Sequence, residues 1–281
     1  MKITRSQRPH IHLDQIDPTV AMTVLGYDTA SKQVVTDYCL RSQLKPKNLV
    51  IHDLIDGLHF NPHNRSDVHE KARIRATAPS TVEDEVIRAA NFVNEITTDG
   101  CFTHVVQSNH DNFLARYLQD KDGYLDPVNA YYWHRINWIW HDEIRKGHGD
   151  FFNVVHEALR ISGLQDQINF VAYGEGLRIT GNEYSLHGDR GVSGSRGTKT
   201  QFSKLAFKTS TAHCHHSWIS ENGFGAGTMS KLFMHYNTGL TRSCHSCVLG
   251  FANGQRGLVT INPDGRYQAT GDITNRSQRA A

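Results

Sequence analysis

Side chains that can bind metal ions occur in five short polar clusters, each placed where the sequence predicts the end of a strand. They supply imidazole, carboxylate and amide donors, the mixture with which proteins hold a pair of divalent cations for hydrolysis at phosphorus. The combination of clusters predicts an enzyme with a metal centre. In chain order the clusters are residues 10–12, 52–56, 108–111, 187–189 and 212–215.

The third cluster, Asn109-His110-Asp111, is the most specific of the five. Asparagine is an uncommon metal ligand, which offers a neutral oxygen. His110 is then free to donate a proton to a leaving oxygen, and Asp111 can orient its imidazole. A polar connection between a strand and a helix, with Asn109 as a cap, is an alternative interpretation of equal weight.

The other clusters are weaker when taken alone. His213 and His215 are two residues apart, so in an extended segment they lie on the same side and suit two neighbouring cations. A solvated histidine-rich loop is the alternative. Asp53 is followed three residues later by Asp56, which fits either a carboxylate that bridges two cations or a helix cap. His187 is predicted to be a metal ligand only in combination with the other clusters.

Composition places the chain among soluble globular proteins. Of its 281 residues 38% are hydrophobic and 21% charged, and the net charge of +2 is too balanced to prove a nucleic-acid partner. No apolar run of about 18 residues predicts a membrane span, and the N-terminus lacks the apolar region of a signal peptide. The five scattered cysteines are expected to be reduced thiols in a cytosolic protein. Cys244 and Cys247 have C-x-x-C spacing without a second pair, which favours a strand over a zinc site.

Apolar patterning predicts strands at residues 48–51 and 102–107 with helices at 36–44, 81–97 and 112–119 around them. This alternation predicts a parallel sheet, in which ligands gather at the carboxyl ends of the strands. Two stacked sheets flanked by helices would accommodate the whole chain as one domain over residues 1–269, with 270–281 as a disordered tail. Further helices are predicted at 126–146 and 151–161, and short strands at 169–173, 183–186, 205–211, 247–252 and 258–261. The tryptophans Trp133, Trp138 and Trp140 are expected to serve packing.

The order of the clusters resembles that of the calcineurin-like metallophosphoesterases, whose motifs run D-x-H, G-D-x-x-D, G-N-H-D/E, a lone His and G-H-x-H. Residues 25–28, 61–64, 187–197 and 235–256 are further similar to a bacteriophage branch of that superfamily. This branch is typified by the pre-early DNA-degradation and host-shutoff protein of phages that inject their genome in two steps. Those proteins are longer, and this chain resembles their catalytic half.

The resemblance implies a four-layer α/β/β/α sandwich of two mixed sheets flanked by helices. It also implies two divalent cations, with manganese expected and zinc, magnesium or iron as alternatives. His110 would be the proton donor, with Asp111 beside it, and Asp53 would bridge the cations. The implied ligands of the first cation are His10, His12, Asp53 and His215, and those of the second are Asp53, Asn109, His187 and His213.

Four departures from the family pattern matter. His10 stands where the family has an aspartate, and Asp14 is a candidate to compensate for it. His52, Ser108 and Ala212 replace glycines. Ser108 and Ala212 are small enough to fit if φ stays negative, whereas His52 is harder to accommodate. The segment before His10 also lacks the expected apolar strand.

The resemblance implies a divalent-metal phosphodiesterase, a deoxyribonuclease acting on DNA in the cytoplasm of an infected bacterium. Asn64, Arg190 and Arg196 are candidate substrate-binding residues, although a solvated surface is favoured for each arginine. One alternative is a catalytically impaired protein that binds and shuts off a host factor. Another is a phosphoesterase for small substrates. Endonuclease or exonuclease action, strand preference and oligomeric state are left open.

Overall fold

The computed structural model of the protein describes residues 6–8, 11–62, 67–77, 80–120, 122–234 and 240–271. Its helices are α1 (Pro18–Leu25), α2 (Leu40–Leu44), α3 (Val68–Thr77), α4 (Val82–Ile96), α5 (Asp111–Gln119), α6 (Asp122–Leu125), α7 (Ala130–Arg145), α8 (Val154–Ile161) and α9 (Lys199–Ser203). Its strands are β1 (Ser6–Arg8), β2 (Tyr27–Asp28), β3 (Gln33–Val34), β4 (Asn48–His52), β5 (Phe102–Val106), β6 (Asn169–Val171), β7 (Arg178–Ile179), β8 (Asn182–Glu183), β9 (Lys208–Thr211), β10 (Trp218–Ile219), β11 (Gly223–Gly225), β12 (Ser246–Gly250), β13 (Arg256–Ile261) and β14 (Tyr267–Gly271).

Seven strands form the larger sheet, in the order β14-β13-β12-β1-β4-β5-β6. The four strands β1, β4, β5 and β6 run parallel, which confirms the predicted parallel sheet. The segment before His10 is not apolar, yet it forms a strand, β1, which lies in the middle of this sheet between β4 and β12. This polar segment pairs on both sides, so main-chain hydrogen bonds rather than apolar side chains account for its position.

The smaller sheet has five strands in the order β10-β11-β9-β8-β7, and β8, β9 and β11 run parallel within it. Residues 251–255 connect the antiparallel pair β12 and β13 in the larger sheet. Several strands of the smaller sheet have only two residues. They are shorter than the strands that the alternating sequence pattern predicted. β2 and β3 form a separate two-stranded ribbon.

The two faces of the larger sheet have different neighbours. Leu49 and Ile51 of β4 belong to the main hydrophobic core together with buried residues of the helices. Val50, which points the opposite way, belongs to a core that includes Tyr184 from the loop after β8. Phe224 of β11 also packs against residues of β12 and β13. The fold is therefore mixed α/β, with helices on one face of the larger sheet and the smaller sheet on the other.

Capping side chains explain where the helices begin. Thr81 caps α4 by accepting a hydrogen bond from the amide of Asp84, whose carboxylate accepts the Thr81 amide in return. The first residue of α4, Val82, thus lies one residue after the predicted start of this helix. Helix α7 begins at Ala130 instead of residue 126, because residues 126–129 form a turn in which Asp126 accepts the amide of Val128.

Three smaller predictions differ from the structure. Trp133 and Trp140 pack against the core as expected, but the side chain of Trp138 is 70% exposed. Helix α2 contains only the second half of the predicted segment 36–44. The first two residues of the predicted tail, Thr270 and Gly271, form the end of β14, and the rest of the tail lies outside the described residues. Within the described parts of the chain, no helix is long and apolar enough to cross a membrane.

Candidate metal centre

Seven polar residues are brought together by loops at the carboxyl ends of five strands. In the larger sheet these loops follow the parallel neighbours β1, β4 and β5, and in the smaller sheet they follow β8 and β9. The arrangement agrees with the general rule that ligands bind at the carboxyl edge of parallel sheets. The seven residues are His12, Asp53, Asn109, His110, His187, His213 and His215.

One group of donors is formed by His12, Asp53 and His215. The Nε2 atom of His12 lies 3.1 Å from Nε2 of His215 and 3.6 Å from Oδ2 of Asp53. One ligand atom of each of the three residues lies within 4.8 Å of the others, close enough to hold one ion. His12 and Asp53 are buried, while His215 is half-buried. His10, the other residue expected at this ion, lies outside the described residues.

A second group lies next to the first. Oδ1 of Asn109 is 3.0 Å from Nε2 of His187 and 3.2 Å from Nδ1 of His213. Nε2 of His187 is also 3.4 Å from Oδ2 of Asp53. The same carboxylate oxygen of Asp53 therefore faces both groups, as the sequence-based assignment of a bridging role required.

The donor set suits a divalent cation. Imidazole nitrogens favour transition metals, and carboxylate and amide oxygens are accepted by manganese, magnesium and iron as well. Two ring nitrogens that face each other at 3.1 Å, as those of His12 and His215 do, both gain from a cation between them. The described residues can thus bind metal.

Backbone strain is concentrated at the same residues. Eight described residues other than glycine have positive φ, and four of them belong to this site: His12 (49°), Asp53 (51°), His213 (59°) and His215 (55°). A left-handed conformation costs a residue with a Cβ atom roughly 1–2 kcal/mol. Such strain is typical of functional sites, where the surrounding structure holds it in place.

Three residues stand where the motifs of the metallophosphoesterases have glycine, and none of them has this strain. His52, Ser108 and Ala212 are not among the residues with positive φ, so the backbone accommodates their side chains. The ring of His52 is buried and stacks on that of His187, with 5.5 Å between centroids and 26° between planes. Gly188 does adopt a positive φ of 119°, and a Cβ atom there would lie 3.3 Å from Cβ of His213.

Asp56 also contacts the site, although the carboxylate oxygen that faces both groups is that of Asp53. Its Oδ1 lies 3.2 Å from Nδ1 of His12, and its Oδ2 accepts a hydrogen bond of 2.7 Å from Gln15. A carboxylate on the outer nitrogen of a histidine fixes the orientation of its ring and makes the inner nitrogen a better ligand. His12, Asp56 and His110 also lie close enough together to be counted as a possible metal group. The sequence signal for Asp56 was its spacing of three residues from Asp53.

The buried histidines have shifted pKa values. Burial disfavours the charged form of His12, but the negative charges of Asp53 and Asp56 outweigh burial and raise its pKa. Burial lowers the pKa of His110, and the nearby His12 lowers it further. At neutral pH the His110 ring is therefore neutral until an anion approaches it.

Asp111 does not take the position expected of it. Its carboxylate accepts hydrogen bonds from the amides of Ile55 (2.8 Å) and Ser108 (2.9 Å), so it fixes the second cluster against the third. The group that faces the His110 ring is Asp56, whose backbone carbonyl lies 3.1 Å from Nδ1 of His110. Burial and the charge of Asp53 raise the pKa of Asp111 to about 6. The spacing of the motifs does not predict this exchange, because Asp111 is adjacent to His110 in sequence whereas Asp56 lies 54 residues away.

The remaining candidates are two exposed arginines, two cysteines and one residue outside the described part of the chain. Arg190 and Arg196 are exposed on the loop that follows His187, and Asn64 lies outside the described residues. Cys247 is buried in β12, while Cys244 is half-buried and accepts a hydrogen bond from the amide of Ser217. This arrangement agrees with the strand interpretation of the C-x-x-C segment.

Comparison with known proteins adds one relationship. Protein A1 of Escherichia phage T5 is 33% identical over 262 residues. The chain is related to a phage protein. The match covers 92% of this chain and 45% of the phage protein, so the chain spans less than half of the length of its relative. No family model matches the chain, and no solved structure matches it.

Proposed function

We propose that this protein is a two-metal phosphodiesterase. The observation that carries the proposal is the position of Asp53, whose Oδ2 lies 3.6 Å from Nε2 of His12 and 3.4 Å from Nε2 of His187. One carboxylate oxygen shared between two groups of neutral donors is the arrangement that a bridged pair of cations requires. In this proposal His12 and His215 hold one cation, and Asn109, His187 and His213 hold the other.

The metallophosphoesterase sandwich is the proposed architecture. The stacking of a seven-stranded and a five-stranded sheet supports it, as does the packing of long helices on the larger sheet. The short helix α9 packs near β11 on the smaller sheet. We assign this helix to the fourth layer of the proposed α/β/β/α arrangement.

Bound divalent cations supply Lewis-acid polarisation of the phosphoryl oxygens and acidify water at neutral pH. The residues of the chain have the remaining tasks. His110 has its Nδ1 3.1 Å from the Asp56 carbonyl, which orients the ring. In this proposal its Nε2 donates a proton to the leaving oxygen. Its low pKa in the free protein must rise for this purpose, and the negative charge of a bound phosphodiester has that effect.

DNA is the proposed substrate, and the bacterial cytoplasm during infection is the proposed location. Both rest on the phage relationship and on the similarity of the motifs to a phage branch associated with DNA degradation. Manganese is the proposed cation, because one site must accept imidazole, carboxylate and amide donors together. The activity and partners of the longer relative are not assumed for this chain.

Purified protein, analysed for metal content and incubated with plasmid DNA, tests the proposal. We expect bound metal and DNA cleavage that requires manganese or magnesium and stops with chelator. His110→Ala should retain metal and lose turnover, whereas His148→Ala, a surface histidine paired with Glu143, should behave like the wild type. Metal-free, inert protein would contradict the proposal and favour a binding protein. Hydrolysis of bis-nitrophenyl phosphate with plasmid left intact would favour a small substrate.

A further inference from the structure

A hairpin follows directly after the metal-site residue His187. The amide of Gly191 donates to the carbonyl of Ser195 at 2.7 Å, and the amide of Gly197 donates to the carbonyl of Asp189 at 2.9 Å. Between these two bonds Arg190 and Arg196 face each other as an antiparallel pair. This is the non-hydrogen-bonded kind of pair, in which the side chains approach most closely, at about 4.5 Å between Cα atoms.

The hairpin is anchored to the metal centre at its base. A Cβ atom on Gly197 would lie 2.0 Å from the carbonyl oxygen of Gly188, and one on Gly188 would lie 3.3 Å from Cβ of His213. Both positions therefore need glycine for the close approach of the two loops. The arginine pair is consequently held beside the loop that carries His213 and His215.

Two like charges directly opposite each other destabilise a strand pair. The position of Arg190 is nevertheless well defined, because its guanidinium lies 4.1 Å from the centre of the Tyr173 ring. The hydroxyl of Tyr173 donates to Oδ2 of Asp189 at 3.0 Å, and the same carboxylate oxygen lies 3.8 Å from Nε of Arg190. Asp189 thus offsets part of one positive charge in the pair, and an anion is needed to offset the rest.

Further positive charges lie on segments that adjoin the hairpin and the ligand loop. Lys199 is the first residue of α9 and follows Gly197 by two residues. Arg242 lies two residues before Cys244, whose amide donates to the carbonyl of His215 at 2.9 Å. Lys199, Arg196 and Arg242 are exposed.

The contrast with other surface arginines is informative. Arg73, Arg135, Arg145 and Arg160 each form an ion pair of 2.5–2.8 Å with a carboxylate. Among the described residues, Arg196, Lys199 and Arg242 form no ion pair with a carboxylate. Their positive charges, unlike those of the four arginines, are therefore not offset by a described carboxylate.

We propose that Arg190, Arg196, Lys199 and Arg242 form a binding surface for the phosphate backbone of a nucleic-acid strand that enters the metal centre. The inference rests on the proposed function and specifies the side on which the polymeric substrate lies. A phosphate between Arg190 and Arg196 relieves their mutual repulsion, and guanidinium groups bind phosphate oxygens in a bidentate manner. A polymeric substrate can offer one phosphate to the metal centre and another to this surface, whereas a small diester has a single phosphate.

Binding of a fluorescent DNA duplex, followed by anisotropy in chelator across a salt series, tests the surface separately from hydrolysis. We expect the double variant Arg190→Ala/Arg196→Ala to bind the duplex about tenfold more weakly. The negative slope of log K against log salt concentration should decrease in magnitude by about 1.8, because two phosphate contacts are lost. The variant Arg190→Lys/Arg196→Lys should keep most of the slope. Arg160→Ala is the matched control, because its side chain is 55% exposed against 54% for Arg190 but is paired with Glu157.

The outcomes separate this inference from the proposed function. If the wild type hydrolyses bis-nitrophenyl phosphate but the alanine double variant binds DNA with wild-type affinity and slope, the surface is refuted and the enzyme stands. If the wild type hydrolyses no diester, the proposed function fails, and the loss of DNA binding in the variant still supports the surface. In active protein the loss in kcat/KM should be at least tenfold larger for DNA than for the small diester.

Discussion

Relief of backbone strain at His213 provides a quantitative prediction. His213 has a φ of 59°, a conformation that costs a residue with Cβ roughly 1–2 kcal/mol. Replacement by glycine removes this cost. The greater freedom of glycine in the unfolded chain lowers the free energy of unfolding by about 0.5–1 kcal/mol, which cancels part of the gain. We therefore expect metal-free His213→Gly to be more stable than His213→Ala by about 1 kcal/mol. Both variants lack the imidazole, so their difference isolates the backbone.

Urea unfolding in chelator measures this difference, and thermal unfolding should show a higher Tm for the glycine variant by about 2 °C. The matched control is His104 in β5, which has an ordinary strand conformation. There His104→Gly should be less stable than His104→Ala by about 0.5–1 kcal/mol. An alanine variant at position 213 as stable as the glycine variant would refute the inference that the ligand loop stores strain.

Three further predictions concern the site and its support. Asp53→Asn keeps the shape of the side chain but removes the shared charge, so the stabilisation of about 2.7 kcal/mol expected at a manganese concentration 100-fold above Kd should disappear, as thermal shift or calorimetry would show. His52→Gly removes the ring stacked on His187 and should weaken metal binding about 10–100-fold, with His52→Phe recovering part of it by isothermal titration. Burial opposes ionisation of Glu183, but hydrogen bonds from the amides of Leu177 and Ser185 outweigh burial and lower the pKa of this carboxyl group. Glu183→Gln should therefore reduce the free energy of unfolding by about 1–3 kcal/mol at pH 7. This difference should shrink as the pH falls below 4.5 towards the folded-state pKa.

The central part of the fold was predictable because its signals are local. β4 and β5 are short runs that end in polar clusters, and α4 between them has regular apolar spacing and a capping box. α3, the other helix between them, lacks regular apolar spacing and was not predicted. β1 was missed for the opposite reason. Its three residues are polar, and Ser6 pairs with Gly250, a partner that no local pattern reveals.

The site was predictable to the level of residue type and no further. Clusters of histidine, aspartate and asparagine at strand ends led to donors that do converge, from His12 to His215. The roles of Asp56 and Asp111 depend on which way each carboxylate turns after its strand. Asp111 turns towards two backbone amides, and amide positions are set by the tertiary fold rather than by the spacing of the motif.

The wide separation of His12 and His215 along the chain, 203 residues, bears on how the protein matures. During translation His12 leaves the ribosome long before His215 is added. An incomplete chain, whether nascent or prematurely terminated, therefore lacks one histidine of the pair. β1 likewise waits for β12 to complete its pairing. Synthesis itself thus delays assembly of the metal centre until nearly the whole domain has emerged.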